Sequence, residues 1–391
     1  MAIDRRELRE WLEANCPAEM RQPIRGDEDI CWGGRHFVFQ SPAQKLWLER
    51  MAARGFTVPT WPKDYGGAGL TPEDAAVLGD EMRRIHARPP LTSFGISMLG
   101  PALLKFGNEE QKRRHLTRIA RGEIRWCQGY SEPGAGSDLA SLRTRAEDRG
   151  DHFLVNGQKI WTSYADKADW IFCLARTDPT AKKHDGISFL LIDMASKGVS
   201  TKPIVLISGK SPFCETFFDN VEVPKENLVG KLNRGWDIAK YLLTHERGAI
   251  SGGGLNVFDN EALDKAARAA AKAAGGRLPD PVLRADIARA AIDSYAAAAT
   301  VQRYMQEATA GGELGARSAV LKYDGAELNK RRYELLMSLA GAEGLTFDGN
   351  FGPESELAQR WLRSKGNSIE GGTSEIMLDI VAKRILELPS E

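Results

Sequence analysis

The sequence lacks most of the features that would announce a function outright. Lys+Arg and Asp+Glu both number 53 in its 391 residues, so neither charge is in surplus. A chain without a basic excess has no general attraction for nucleic acid or an anionic lipid surface, although a local basic patch can still receive a polyanion. Cysteine is scarce: five residues, at 16, 31, 127, 173 and 214, with no CxxC pair. That argues against a disulfide framework or a zinc cluster and fits free thiols in a reducing compartment. The six histidines show no metal-ligand spacing, and no Ser/His/Asp grouping stands out. Gly209-Lys210-Ser211 is not a phosphate loop, because Ile204 stands where the first glycine is required. No run approaches the ~18 apolar residues of a membrane span. The first residues are charged and helical, without the apolar core of a signal peptide. A soluble, cytoplasmic protein is the expectation, without nucleic acid or membrane as partner.

What is present divides the chain in three. Residues 1–122 read mainly as helix, with Leu8, Trp11 and Leu12, then Leu46, Leu48 and Met51, at helical spacing. Thr71-Pro72-Glu73-Asp74 carries an N-cap, a proline at the first helical position and first-turn acids. Residues 123–234 change to short apolar runs such as Trp170–Leu174 and Ile187–Ile192, and Asn156-Gly157 is a hairpin signal. Fourteen of the 18 prolines precede residue 225. From 235 to 391 the helical period returns: Leu283, Ile287, Ala290, Ala291, Tyr295, Ala298, Val301 and Met305 keep one apolar face. The alanine-rich piece near 266–274 reads as exposed helix. The expected fold is α+β: an N-terminal helical domain, a middle β-barrel or sandwich, and a C-terminal four-helix bundle.

Three stretches could carry chemistry. Tyr130-Ser131-Glu132-Pro133-Gly134-Ala135-Gly136-Ser137-Asp138 follows a short apolar run that reads as a strand. Small residues after a proline let the backbone turn sharply and approach a ligand, with hydroxyls at the rim. An ordinary surface turn fits the same residues. Thr244-His245-Glu246-Arg247 continues an apolar helix and runs into Gly252-Gly253-Gly254. Helix-interior glycines cost about 1 kcal/mol each against alanine, and small residues a turn beyond Glu246 would leave room beside a carboxylate. A helix Glu paired to a nearby Arg is the plain alternative. Ser368-Ile369-Glu370-Gly371-Gly372-Thr373-Ser374-Glu375 leads into a last helix with Thr373 or Ser374 as N-cap. Its free N–H groups suit a phosphate or a developing oxyanion, or only a capped helix.

Together these stretches resemble the acyl-CoA dehydrogenase family over nearly the whole chain. Further matches are Asn156-Gly157-Gln158-Lys159-Ile160-Trp161, Asp219–Pro224, Asn233-Arg234-Gly235-Trp236 and Gly372-Thr373-Ser374-Glu375-Ile376. The resemblance implies FAD-dependent oxidation of an acyl-CoA thioester to its trans-2-enoyl-CoA in lipid breakdown, with electrons leaving to an electron-transfer flavoprotein. By position, Gln128, Tyr130, Ser131 and Gly136 would line the flavin. Trp161 and Ser163 would cover its other side. Ser137 would sit near both cofactor and CoA chain. Thr373 and Glu375 would hold the diphosphate and ribose region. Gly371, with Gly372 beside it, would offer an N–H to the thioester oxygen alongside the flavin ribityl hydroxyl.

Many members place the base immediately before the Gly-Thr-Ser of the last helix. Gly371 stands there, and Glu370 lies one residue earlier. A branch similar to isovaleryl- and long-chain-type enzymes has the base on the neighbouring helix just before an Arg, as Glu246-Arg247 does. Glu246 is therefore the expected base, with Arg247 beside the substrate. The likeness departs in two places. Residues 256–280 hold no Arg-x-x-Phe-Gly segment, and Met337–Gly344 lacks the usual Gln. The expected assembly is accordingly a homodimer or tetramer with altered FAD contacts, or a heteromer with a second acyl-CoA dehydrogenase chain. A non-catalytic partner subunit and an oxygen-using oxidase or monooxygenase of the same fold are the rival readings.

Overall fold

The computed structural model describes residues 3–24, 26–252, 260–309, 315–346 and 356–389, with the side chains of 244–252, 305, 308 and 309 outside the description. The chain forms two compact units: residues 1–204 with 212–242, and residues 205–211 with 243–391.

In the first unit five helices come first: α1 (Arg5–Asn15), α2 (Pro42–Ala53), α3 (Pro72–Arg84), α4 (Gly100–Phe106) and α5 (Glu109–Ala120). Local chemistry starts them. Asp4, Ser41, Thr71 and Asn108 accept from the first-turn amides of α1, α2, α3 and α5. Proline occupies an early position of α2 and α3. Leu8, Leu12, Trp47, Met51, Phe56 and Leu78 close over one another as the core joining α1, α2 and α3.

The strands follow: β1 (Trp126–Gly129), β2 (Arg145–Asp148), β3 (His152–Ser163), β4 (Trp170–Arg176), β5 (Ile187–Asp193), β6 (Val199–Ile204), β7 (Phe213–Pro224) and β8 (Leu228–Val229). They make one sheet in the order β6-β7-β3-β2-β4-β5-β8, with β1 added parallel to β4. β4 and β5 are buried at every position but the last, which is why they read as unbroken apolar runs. Residues of β3, β4, β5 and β7 share one core around Phe153, Ile171, Leu190 and Val221.

Asn156-Gly157 is not a hairpin turn. Both residues lie inside β3, where the register against β7 shifts between Val155 and Gly157. The glycine is needed for close approach: a Cβ there would stand 2.5 Å from the Thr144 hydroxyl, and its φ is 152°. The pair serves a bulge rather than a chain reversal.

The second unit is helical. α6 (Gly235–Gly252) begins in the first unit and ends in the second. Then come α7 (Glu261–Ala273), α8 (Pro281–Thr309), α9 (Arg317–Ala340), α10 (Glu356–Ser364) and α11 (Ser374–Arg384). α9 is the hub, touching α7, α8, α10 and α11. Leu263, Ala290 and Leu335 form a buried cluster joining α7, α8 and α9. The alanine-rich stretch falls in α7, which is mostly exposed. Among the described residues, no helix is long and apolar enough to cross a membrane.

Candidate functional site

In the first unit the turn after β1 is built from behind. Pro133-Gly134 is closed by a backbone bridge, Glu132 N to Ala135 O and Ala135 N to Glu132 O, both 3.0 Å. The Glu132 carboxylate turns inward and is buried. It accepts from the Arg143 N–H at 2.6 Å, the Thr144 N–H at 2.9 Å and Lys159 Nζ at 2.7 Å. Lys159 is fully buried and also donates to the Tyr130 carbonyl at 3.1 Å. Burial pushes the Glu132 carboxyl up, but the Lys159 charge and these bonds outweigh it and hold it below its usual range.

With its frame fixed inside, the turn leaves its outer side open. A Cβ added at Gly134 or Gly136 would meet nothing within 4 Å. Ser137 is exposed, Ser131 and Gln128 are half-buried, and the Ser131 carbonyl accepts from the Ile160 N–H at 2.9 Å. The Tyr130 ring instead lies in the core, edge-on to Phe172 at 6.1 Å. Tyr130 therefore supports the turn from behind.

The end of β3 lies beside it. Between Lys159 and Thr162 the register against β7 slips again, and Trp161 takes φ 59°. A left-handed backbone at a bulky aromatic costs of order 1–3 kcal/mol and persists only where its surroundings impose it. The indole is nevertheless 53% exposed, resting edge-on against Phe213. Ser163 is half-buried, and Tyr164 after it has φ 52°. An exposed flat ring on a strained bulge, next to an open glycine turn, suits a planar cofactor.

In the second unit, the stretch before α11 is held from α9 and α10. Lys322 of α9 is buried and donates to the carbonyls of Asn367 at 2.9 Å and Gly372 at 2.5 Å. Asn329 donates to Asn367 at 2.7 Å, and Ser374 to Glu327 at 2.8 Å. Gly371 and Gly372 have φ 64° and 103°, a backbone glycine adopts freely. Thr373 is the N-cap, its hydroxyl accepting from the Ile376 N–H at 3.3 Å. Glu375 is exposed in the first turn. Its carboxyl lies below its usual range through its own backbone N–H, the Thr373 hydroxyl and the Lys322 charge.

Glu370 is committed elsewhere. It accepts from Arg363 at 2.7 and 3.3 Å and from Asn367 at 2.6 Å. Glu246 and Arg247 lie on α6, but their side chains fall outside the described residues, as do Gly253 and Gly254. The sequence did not single out Lys322, Arg363, Asn367 or the Glu132–Lys159 pair: Lys322, Asn367 and the Glu132–Lys159 pair act through partners remote in the chain, and Arg363 reaches Glu370 across the bend between α10 and α11. Among the described residues, no cluster could hold a metal ion.

Comparison with known proteins agrees with this layout. Family models for the N-terminal, middle and C-terminal domains of acyl-CoA dehydrogenase match residues 32–123, 127–221 and 233–386. The acyl-CoA dehydrogenase IpdE1 of Mycobacterium tuberculosis is 37% identical, covering 99% of this chain and 97% of the relative. Among solved structures, the Tcur3481-Tcur3483 steroid ACAD is similar at TM-score 0.78 and 32% identity, covering 99% of this chain and 97% of the other. The ChsE4-ChsE5 complex of Mycobacterium tuberculosis is similar at TM-score 0.73 and 30% identity, over 99% and 97%. Three matched domains and full-length relatives at this identity show that the chain belongs to the acyl-CoA dehydrogenase family of FAD-dependent oxidoreductases.

Proposed function

We propose that this protein dehydrogenates an acyl-CoA thioester between its α and β carbons to give the trans-2-enoyl-CoA, with Glu246 as the base. FAD, when bound, supplies the hydride acceptor. The residues of the chain do the rest. A thioester α-proton is weakly acidic, so a carboxylate must take it while donors hold the carbonyl oxygen as negative charge grows there. Glu246 takes the proton, the Gly371 N–H holds the oxygen, and Arg247 lies beside the substrate. Gln128, Ser131, Gly136, Ser137, Trp161 and Ser163 face the flavin, and Thr373 and Glu375 its diphosphate and ribose. Residues 1–122, 123–234 and 235–391 are the proposed functional divisions.

The observation that carries the choice of base is Glu370, the rival carboxylate. Arg363 and Asn367 occupy it at hydrogen-bond distance, which favours its serving as a structural anchor. The test is anaerobic mixing with substrate, reading loss of flavin absorbance. Glu246→Gln is expected to keep FAD and lose bleaching by about 10³-fold or more. Near-normal bleaching in that variant, with loss in Glu370→Gln, sinks the assignment.

The likeness to the Tcur3481-Tcur3483 steroid ACAD and to the ChsE4-ChsE5 complex supports a bulky, steroid-derived acyl group and a second dehydrogenase chain as partner. We propose an electron-transfer flavoprotein as the electron acceptor. A panel of straight, branched, aromatic and steroid acyl-CoAs tests the substrate. Light scattering with FAD counted per chain tests the partner: one tightly bound FAD per purified chain rules out an obligate heteromer.

A further inference from the structure

We infer that Lys322 is a positioning residue for the cofactor diphosphate, acting through the peptide between Gly372 and Thr373; this rests on the flavin reading above. The buried ammonium on α9 draws the Gly372 carbonyl toward it at 2.5 Å. A peptide unit is planar and trans, so its N–H points opposite to its C=O. Fixing the Gly372 oxygen on Lys322 therefore turns the Thr373 N–H away from α9. The positive φ of Gly371 and Gly372 is what lets the chain present that peptide in this sense.

Two further observations point the same way. Among the described residues, nothing accepts from the N–H of Gly371, Gly372 or Thr373. With the Gly371 N–H assigned to the thioester oxygen, the amides of Gly372 and Thr373 at the start of an eleven-residue helix are left for the diphosphate, and such a terminus favours an anion. The Lys322 charge also reaches the outer side of the turn, because it helps hold the Glu375 carboxyl below its ordinary range. Lys322 thus does two things at once. It sets the direction of a donor and puts a fixed positive charge behind it.

The test uses apoprotein made from purified holoprotein, titrated with FAD and with riboflavin, which lacks the diphosphate, by flavin fluorescence. Lys322→Met, neutral and of similar length, is expected to weaken FAD binding at least about tenfold while riboflavin stays within about threefold. Equal weakening of both ligands marks a merely structural lysine and overturns the inference, as does unchanged FAD binding. Where Lys322→Met does not fold, Thr373→Pro is compared with Thr373→Ala. Both lose the capping hydroxyl, only the first loses the N–H, and the φ of Thr373, −64°, accepts proline. The proline variant should bind FAD about tenfold or more below the alanine variant, with riboflavin alike, and equal FAD binding overturns the inference. Wild-type protein that takes up no FAD sinks the flavin reading itself, and this inference with it. Failure in the variants alone leaves that reading standing.

Discussion

The two glycine turns of this protein solve the same problem by different means. In the proposed reading each shows backbone and small hydroxyls to the cofactor or substrate, and each is fixed from behind by one buried lysine. In the turn after β1 the lysine, Lys159, meets a buried carboxylate, Glu132, which itself collects two backbone amides. In the turn before α11, Lys322 donates to carbonyl oxygens and its charge reaches the open side. The first turn is held by a charge pair closed within the unit, and its outer side is shaped by empty space. The second is held by a charge directed at backbone, and its outer side is shaped by amides. A buried charge that is matched locally fixes shape, whereas one whose field emerges can also attract.

The largest expected effect breaks the first arrangement. Lys159→Met strands Glu132 in the interior, and removing one partner of a buried pair costs about 3–5 kcal/mol. Denaturant unfolding reads the loss. Adding Glu132→Gln should recover part of it, and no recovery would mean that the pair is not the unit of stability.

Acid should separate the two regions next. His115 of α5 is buried edge-on to Trp126 of β1 and Trp170 of β4, with no partner for either ring nitrogen. Burial, reinforced by the nearby Arg114 and Arg118 charges, pushes its pKa from 6.5 down to about 4. The folded state therefore binds this proton more weakly than the unfolded one. Stability is full above the ordinary value, falls as pH drops below it, and levels off below the folded value. The loss across that window is about 3 kcal/mol. Near-UV circular dichroism of the tryptophans should track it, and His115→Phe should flatten that limb.

The smallest contrast is between two alanine substitutions. At Gly372 the backbone is left-handed and a Cβ would meet the Met377 methyl at 2.4 Å, so Gly372→Ala should destabilise by about 1–3 kcal/mol. At Gly136 a Cβ meets nothing, so stability should hold within about 0.5 kcal/mol while FAD affinity falls. Equal thermal shifts in the two variants would erase the distinction between the turns.

Much of this was legible before any coordinates. Caps at Thr71 and Thr373 and the exposed alanine-rich helix are set by a handful of neighbouring residues. Asn156-Gly157 shows the limit. The dipeptide permits a tight reversal, yet the approach of Thr144 from β2's side makes it a bulge within a long strand. Glu370 shows it again: from the sequence it is a free acid near a glycine pair, whereas in the fold it belongs to Arg363 and Asn367.

The sequence by itself determined the family, the order of helical and β segments, the cofactor and the residues offered at each turn. These follow from patterns of a few residues, where turn chemistry and periodicity act locally. Only the tertiary structure decided what stands behind those turns. Lys159 meets Glu132 across 27 residues and Lys322 meets Gly372 across 50. A charge finds such a partner only once the chain has closed the distance and excluded the water that would otherwise have satisfied both.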